Sequence, residues 1–519
     1  MVSSAHRISP SIAAITALLA LLTADILAGA SHVEAIALGL LAVVFSLWLA
    51  RLAKSWTVIV GTIVCVVLLI PNDGAYVLPK ALPFELEPYR VIIALVELGW
   101  IVSLLIDRRV RSRASGFEGP LLLIIAVTLG SDLANPGHVA TVSSYTIKAL
   151  SLFLSFVLFY YLIVSVVRTR AAVERVITVI VSAGTLEAIG ALIERRTEFN
   201  IFDHLHPLLP IFDYVPAAIA HIEQRGGYLR AFASSGDPIE LSTTMAMMLP
   251  LAAYLAISRR QYAWWLAVAL LLFADFAGGS RTGLIGLLAM LLVFLWLRRR
   301  ETLRCWPALI PMIGVLHFAA PGAIGAVIEE FFPKGGIVHQ QEETEIGPHG
   351  EVKYSSRLSR IGPELHEYLQ HDPLLGQGYA TRVVGYHNMA ADNAIILDDQ
   401  WLDTLLETGL FGVLAWLWIF GRAIRRLGMR AKRERARSEG WLPVALGASL
   451  ASYTIAMFFF DAFGYVQATS VAFTLLALSA VLLRTPSRAT PQQQQPATSR
   501  AHPHWAQGNH GVAYSPAAS

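Results

Sequence analysis

The sequence predicts an all-α, polytopic integral membrane protein with about 14 transmembrane helices and a large extracytoplasmic loop that contains helices. Two observations predict this class. Of the 519 residues, 55% are hydrophobic and only 15% are charged, whereas soluble proteins carry about 25% charged residues. Long apolar stretches also recur along most of the chain, and a helix of roughly 20 apolar residues is what a bilayer requires.

The apolar stretches define the predicted spans. In chain order they are 11–29, 34–50, 56–71, 89–106, 118–133, 146–167, 172–193, 238–257, 262–277, 281–297, 305–322, 400–423, 440–463 and 465–483.

The distribution of Lys and Arg predicts the orientation of these spans. Every second connection is basic, as in the run "RAIRRLGMRAKRERAR" after the span 400–423. Because basic connections stay on the cytoplasmic side, both chain termini are predicted to be cytoplasmic.

Two connections on the opposite side are long, at 194–237 and 323–399. Loops of this length usually have a function, and "SSRLSRIGPELHEYLQHDPLLGQGY" in the second predicts an amphipathic helix. We therefore divide the chain into an N-terminal transmembrane bundle (1–193), a core with both outer loops (194–425), C-terminal transmembrane helices (426–484) and a disordered cytoplasmic tail (485–519).

Several ionisable residues fall inside predicted spans, where charge is costly and often functional. Hydrogen bonding between helices is the alternative explanation for each of them. These residues are Asp25, Glu97, Lys148, Glu187, Asp275 and Asp461.

Two outer-side arginines stand at predicted helix starts. Arg230 precedes "SSGDP" and a span that begins near Pro238, and Arg281 lies in "GGSRTG" between two apolar runs. Guanidinium groups beside helix N-termini suit a diphosphate; snorkelling to lipid headgroups is the alternative for Arg281. By contrast, Arg195, Arg196 and Arg225 are predicted to be more exposed and ordinary.

No motif indicates a cofactor. His366 and His371 are separated by one residue more than the zinc motif H-E-x-x-H allows, so they face different ways on a helix. We find no nucleotide-binding glycine loop and no Ser-His-Asp arrangement. We therefore expect no cofactor, no metal and no nucleic-acid partner.

Four segments together resemble the O-antigen ligase and O-antigen polymerase superfamily. They are "LRAFASSGDPIELSTTMAMMLPLA", "GGSRTGLIGLLAMLLVF", "SSRLSRIGPELHEYLQHDPLLGQGY" and "DDQWLDTLLETGLFGVLAWLW", which cover roughly residues 225–425. The resemblance implies a multi-pass enzyme of the bacterial inner membrane. Such enzymes take a glycan from a polyprenyl-diphosphate carrier and join it to an acceptor hydroxyl.

The resemblance also implies roles for particular residues. Arg230 and Arg281 would neutralise the leaving diphosphate without a metal, with inversion at the anomeric carbon. Arg357 is a third candidate, for glycan or phosphate, and a solvated charge on a helix face is its alternative role.

The catalytic base is less clearly indicated. The family's His-Asn pair falls on Asp398 and Asp399, whereas a His387-Asn388 pair lies eleven residues earlier. Asp398, Asp399 and His387 are therefore the candidates, and N-capping of the following span is the alternative role for the two aspartates.

The predicted function is transfer or polymerisation of a lipid-linked glycan at the outer face of the membrane, in cell-surface polysaccharide biosynthesis. The partners are the polyprenyl-diphosphate-linked glycan, a glycan or lipid acceptor, and membrane lipids. A transporter or flippase of the same lipid-linked glycan is the main alternative, and a membrane scaffold is another.

Overall fold

The structure is a computed structural model. It describes residues 56–72, 74–78, 87–106, 111–215, 224–225, 228–304, 343–347, 350–354, 362, 366, 372–381, 399–435 and 440–486.

Helices make up most of these residues. They are α1 (Trp56–Leu69), α2 (Pro88–Ile106), α3 (Glu118–Ala134), α4 (Pro136–Thr141), α5 (Ser143–Val166), α6 (Arg170–Thr197), α7 (Pro238–Arg259), α8 (Tyr262–Gly278), α9 (Arg281–Arg304), α10 (Gln400–Arg433), α11 (Trp441–Ala456) and α12 (Val466–Arg484).

Short antiparallel strand pairs and two 3-10 turns lie in the connections. The strands are β1 (Tyr76–Val77) with β2 (Asp213–Tyr214), β3 (Gln224–Arg225) with β4 (Tyr228–Leu229), and β5 (Glu343–Gly347) with β6 (Gly350–Tyr354); the 3-10 turns are Ile201–His204 and His206–Leu208.

Within the described residues, seven helices are long and apolar enough to cross a membrane: α2, α5, α6, α7, α9, α10 and α12. This confirms a mostly helical, multi-pass membrane protein. Buried residues make up 94% of the most apolar stretch of α12 but only 33% of that of α9, so α12 lies at the centre of the bundle and α9 at its periphery. The predicted spans 11–29, 34–50 and 305–322, most of the predicted amphipathic helix of the outer loop and the tail 487–519 lie outside the described residues.

One end of the bundle gathers the starts of α7, α9, α10 and α12, and we call it the site end. Hydrogen bonds join these starts: Gln467 N donates to Glu240 Oε1 at 2.7 Å, and Gln400 N donates to Met457 O at 2.8 Å. The Thr282 hydroxyl donates to Phe459 O at 3.4 Å. The elements that the sequence predicts on the outer side therefore meet in three dimensions.

The opposite end gathers arginines from several of the basic connections. Arg298 Nη1 donates to Arg435 O at 2.7 Å, and Arg430 Nε lies 2.9 Å from Glu434 Oε1. Arg170 Nη1 also lies 3.8 Å from Glu434. The alternation of basic and non-basic connections in the sequence thus corresponds to two separate ends of the structure.

The prediction of one span over 440–463 is wrong in its boundary. Helix α11 ends at Ala456, and residues 457–465 form a turn before α12 begins at Val466. Asp461 is therefore a turn residue, not a residue inside a helix. Carbonyl groups after the end of α11, those of Met457 and Phe460, accept hydrogen bonds from Gln400 N. The first residue of α10 thus supplies the donor that a further turn of α11 would have supplied.

Candidate functional site

The segment "GGSRTG" forms a tight turn between α8 and α9. Gly279 ends α8 with φ at 57°, a left-handed conformation that glycine adopts without strain. Ser280 then caps α9, because its hydroxyl accepts the N–H of Thr282 at 3.2 Å. Arg281 is the first residue of α9 and is half-buried. We call residues 278–281 the arginine turn.

Close packing holds α9 against its neighbours directly below this turn. A Cβ atom on Gly283 would lie 2.0 Å from Asp275 Oδ1 and 2.6 Å from Ser242 Cβ. No side chain fits at this position, which gives a physical reason for the glycine of "SRTG". The depth and direction of Arg281 are thus set by contact of α9 with α7 and α8.

Arg230 lies against the arginine turn although 51 residues separate it from Arg281 in the chain. Its side chain is only 5% exposed, and its Nε donates to Gly278 O at 3.1 Å. The backbone is joined as well, because Ala231 N donates to Ala277 O at 3.2 Å. The structure therefore brings the segments that carry the two predicted diphosphate-binding arginines together.

The C-terminal end of α6 holds the Arg230 loop from the other side. Glu194 is buried, and its Oε2 accepts the N–H of Ala233 at 2.7 Å. Arg195 Nη1 donates to Leu229 O at 2.9 Å and to Ala277 O at 3.0 Å. Arg195 thus joins the residue before Arg230 to the end of α8.

The prediction that Arg195 is an exposed, ordinary arginine is therefore wrong. Its neighbours in sequence suggest a helix end in a polar loop, and only the return of the chain at Leu229 and Ala277 gives the side chain two backbone partners. An "ERR" sequence at the end of an apolar helix, followed by a long loop, was the available signal.

The N-terminus of α7 is already occupied by the chain's own carboxylates. Asp237 caps the helix through its Oδ1, which accepts Ile239 N at 2.5 Å. Glu240 accepts Gly236 N at 3.0 Å and also the first N–H groups of α12, Gln467 N and Ala468 N. These carboxylates oppose the binding of another anion at this helix N-terminus, contrary to the expectation from the sequence. The guanidinium groups are then the remaining positive charges that could bind a diphosphate.

Glu187 supports the same loop from inside the bundle. Its Oε1 accepts hydrogen bonds from the hydroxyls of Ser234 at 3.1 Å and Ser235 at 3.0 Å, and from Gln467 Nε2 at 2.6 Å. For this residue, hydrogen bonding between elements accounts for the charged side chain within a span.

Of the three candidate bases, the structure describes Asp399. Its Oδ1 accepts Trp401 N at 3.0 Å and Leu402 N at 3.2 Å, so it is the N-cap of α10. Asp398 and His387 lie outside the described residues, as does Arg357. The catalytic assignments of all four residues stay predictions.

The sequence "PLLGQG" (373–378) docks on α10 at a break in that helix. Gly409 has φ 68° and ψ −168°, and Leu410 N and Phe411 N donate to Pro373 O and Leu374 O. The other edge of the segment is held at the end of α3, where the capping residue Asn135 donates from Nδ2 to Gly376 O at 2.8 Å. The two motifs "PLLGQG" and "ETG" are thus one structural unit.

Comparison with known proteins finds one family that is similar to part of the chain. The family described as O-Antigen ligase matches residues 266–417, which confirms the resemblance to that superfamily. The match includes Arg281, Arg357, His387, Asp398 and Asp399, whereas Arg230 precedes it. A comparison with curated proteins finds no match.

Proposed function

We propose that this multi-pass protein, which resembles the O-antigen ligase superfamily, transfers or polymerises glycan from a polyprenyl-diphosphate-linked donor onto an acceptor hydroxyl at the outer membrane face. The family supports glycan transfer of the O-antigen ligase type in polysaccharide biosynthesis. The lipid-diphosphate donor, the inverting course and the independence from metal ions are our proposals.

The observation that carries the proposal is the contact of Arg230 with the arginine turn. Arg230 Nε is bound to Gly278 O, three residues before Arg281. An arginine carries five N–H donors in a planar fork that matches phosphate oxygens. Two such groups beside one turn suit the two phosphates of a lipid diphosphate, whose hydrocarbon chain would remain in the bilayer.

The proposed reaction exchanges two bonds at the anomeric carbon of the donor sugar. The acceptor oxygen forms a bond to this carbon, while the bond from the carbon to the diphosphate oxygen breaks. The electron pair leaves with the polyprenyl diphosphate, and the acceptor proton passes to a base. Arg230 and Arg281 would stabilise the charge that develops on the leaving group.

The base is proposed among Asp398, Asp399 and His387, as the family motif implies. The hydrogen bonds that Asp399 Oδ1 accepts as an N-cap favour a structural role for that residue. Arg357 is proposed to contact glycan or phosphate.

Reconstitution of the full chain in liposomes tests the proposal. The vesicles receive a polyprenyl-diphosphate oligosaccharide, and release of free polyprenyl diphosphate is followed. We expect Arg281→Ala to reduce the release rate about a hundredfold or more, because loss of one charge-stabilising donor commonly has this effect. Arg300→Ala is the matched control, since Arg300 is exposed at the other end of the same helix.

Equal rates for the wild type and Arg281→Ala would contradict the role of this arginine. Movement of glycan between leaflets without a new glycosidic bond would instead support the transporter alternative. Full activity in the presence of EDTA is expected if metal ions take no part.

A further inference from the structure

A cavity of about 450 Å³ opens at the site end, apart from the arginine turn. Residues from α2, α5, α10 and the turn 457–465 line it, together with Asn72 and Tyr379 from the connections. Its volume lies within the range of roughly 300–1,000 Å³ that is typical of small-molecule sites. Two of the family-like segments contribute Tyr379, Asp403 and Glu407 to its wall, but the proposed diphosphate site does not include it.

Carboxylates outnumber cations in the cavity wall. Glu87, Asp403, Glu407 and Asp461 line it, against Arg90 and Lys148, so acidic side chains exceed basic ones by two. One of the two cations is engaged, since Arg90 Nε lies 3.2 Å from Glu87 Oε2 and donates to the Tyr89 hydroxyl at 2.9 Å. This wall repels a diphosphate, so the cavity is unsuited to the leaving group.

The phenol of Tyr379 lies among these carboxylates. Burial, and after it the negative charges of Glu407 and Asp461, raise the pKa of Tyr379 well above its usual range. The phenol therefore stays protonated. The backbone N–H of Tyr379 donates to Asp132 Oδ1 at 2.7 Å, and its ring packs 6.0 Å from that of Phe153. The docked segment 373–378 thus delivers a fixed hydroxyl and an aromatic face to the cavity.

Asn72 provides a second, independent indication of a ligand. It lines the cavity, is only 7% exposed, and its Nδ2 has no hydrogen-bond partner in the described part of the chain. A buried amide without a partner costs about 1–3 kcal/mol. Rotation about the Cβ–Cγ bond would let this group donate to a ligand oxygen in the cavity.

Carboxylate and phenol oxygens accept hydrogen bonds from hydroxyl groups, and the amide and phenol also donate them. Aromatic side chains such as Phe153 and Phe463 supply flat apolar surfaces. A saccharide presents this combination, with many hydroxyl groups around apolar C–H faces, and carries no phosphate.

We propose that this cavity binds the acceptor saccharide, as a hydroxyl-rich sugar without anionic groups, through Asn72, Asp403 and Tyr379. The assignment as acceptor rests on the proposed glycan transfer, whereas saccharide binding itself follows from the cavity. The turn 457–465 connects the two sites. Its Phe459 O accepts the Thr282 hydroxyl beside Arg281, and its Phe463 N donates to Gln400 Oε1 in the cavity wall.

Two probes and two kinds of variant test this assignment on the purified full chain in nanodiscs. The probes are inorganic pyrophosphate and the uncharged oligosaccharide repeat released from the polysaccharide of the cells that make this protein. Asn72→Ala removes an amide whose Nδ2 makes no hydrogen bond within the described structure, and Asp403→Asn removes one charge without a change of shape. Binding is measured by titration calorimetry.

We expect each cavity variant to weaken oligosaccharide binding about fivefold or more, in line with the loss of one hydrogen bond to the ligand, and to leave pyrophosphate binding within about twofold. Arg281→Ala should do the reverse, and Arg300→Ala should change neither.

Unchanged oligosaccharide affinity in both cavity variants, absence of oligosaccharide binding to the wild type, or displacement of the oligosaccharide by pyrophosphate would overturn the assignment. Failure of the proposed transfer appears separately, as donor release that does not depend on Arg281.

Discussion

Replacement of Gly409 by alanine tests whether backbone contact between α10 and the segment 373–378 shapes the site end. The φ and ψ of Gly409 (68° and −168°) fall in a region that only glycine adopts readily. A Cβ atom there would also lie 2.3 Å from Leu374 O and 2.4 Å from Leu374 C. Both effects act on the same contact.

The expected cost follows from two ways in which the chain can respond. If Gly409→Ala keeps the native backbone, the strain is about 1–3 kcal/mol. If the segment moves away, it loses the hydrogen bonds from Leu410, Phe411, Gln377 and Gly378 to the facing carbonyls, at about 1 kcal/mol each. Docking of the segment should therefore weaken by about 1–4 kcal/mol, and 1.4 kcal/mol corresponds to a factor of ten.

Hydrogen–deuterium exchange measured by mass spectrometry on the full chain reports this docking directly. We expect exchange at Gln377 and Gly378 to accelerate about tenfold in Gly409→Ala. Gly421→Ala is the matched control in the same helix, because a Cβ atom there meets nothing within 4 Å, and alanine favours a helix over glycine by about 1 kcal/mol.

Wild-type exchange in Gly409→Ala, or equal acceleration in Gly421→Ala, would refute the reasoning. Tyr379 follows the docked segment directly, so Gly409→Ala should also weaken oligosaccharide binding in the cavity.

Two further predictions concern side chains at the site end. Arg195→Ala removes hydrogen bonds to Leu229 O and Ala277 O. Because charged hydrogen bonds contribute about 1.5–3 kcal/mol, we expect this variant to release polyprenyl diphosphate at least tenfold more slowly. Arg196→Ala, at the exposed neighbouring residue, is the control, and equal activity of the two variants would rule out a positioning role for Arg195. Asp399→Asn keeps a good N-cap and should retain activity, whereas Asp399→Ala should lower the free energy of unfolding by about 1 kcal/mol; loss of activity in Asp399→Asn with unchanged thermal stability would instead identify this residue as the base.

Helix positions were predictable because a bilayer imposes a single requirement on every span, an apolar stretch of sufficient length. The described helices accordingly begin and end near the predicted boundaries in most places. The boundary at 440–463 was wrong because residues 457–463, apart from Asp461, are apolar like a helix interior, whereas α11 ends at Ala456 and carbonyl groups after it accept hydrogen bonds from Gln400 N.

The arginines of the candidate site were also visible in the sequence. Arg281 follows two glycines and a serine between apolar runs, a pattern that predicts a turn at a membrane surface. Arg195 was missed, since its two backbone partners are 34 and 82 residues away. A local sequence pattern does not predict a hydrogen bond between residues so far apart in the chain.

By itself, the sequence determined that the chain is a mostly helical membrane protein with basic residues in every second connection, and which superfamily it resembles; the outer-side location of Arg230 and Arg281 stays a prediction. These properties depend on local composition and on short motifs. The tertiary structure alone decided that Arg230 meets the arginine turn, that Arg195 joins the two segments, and that Glu87 before α2 and carboxylates from α10 and the turn 457–465 line one cavity. Contacts between distant segments arise from the packing of helices against one another. A glycine such as Gly283 or Gly409 allows two elements to pack closely. No single stretch of sequence encodes this geometry.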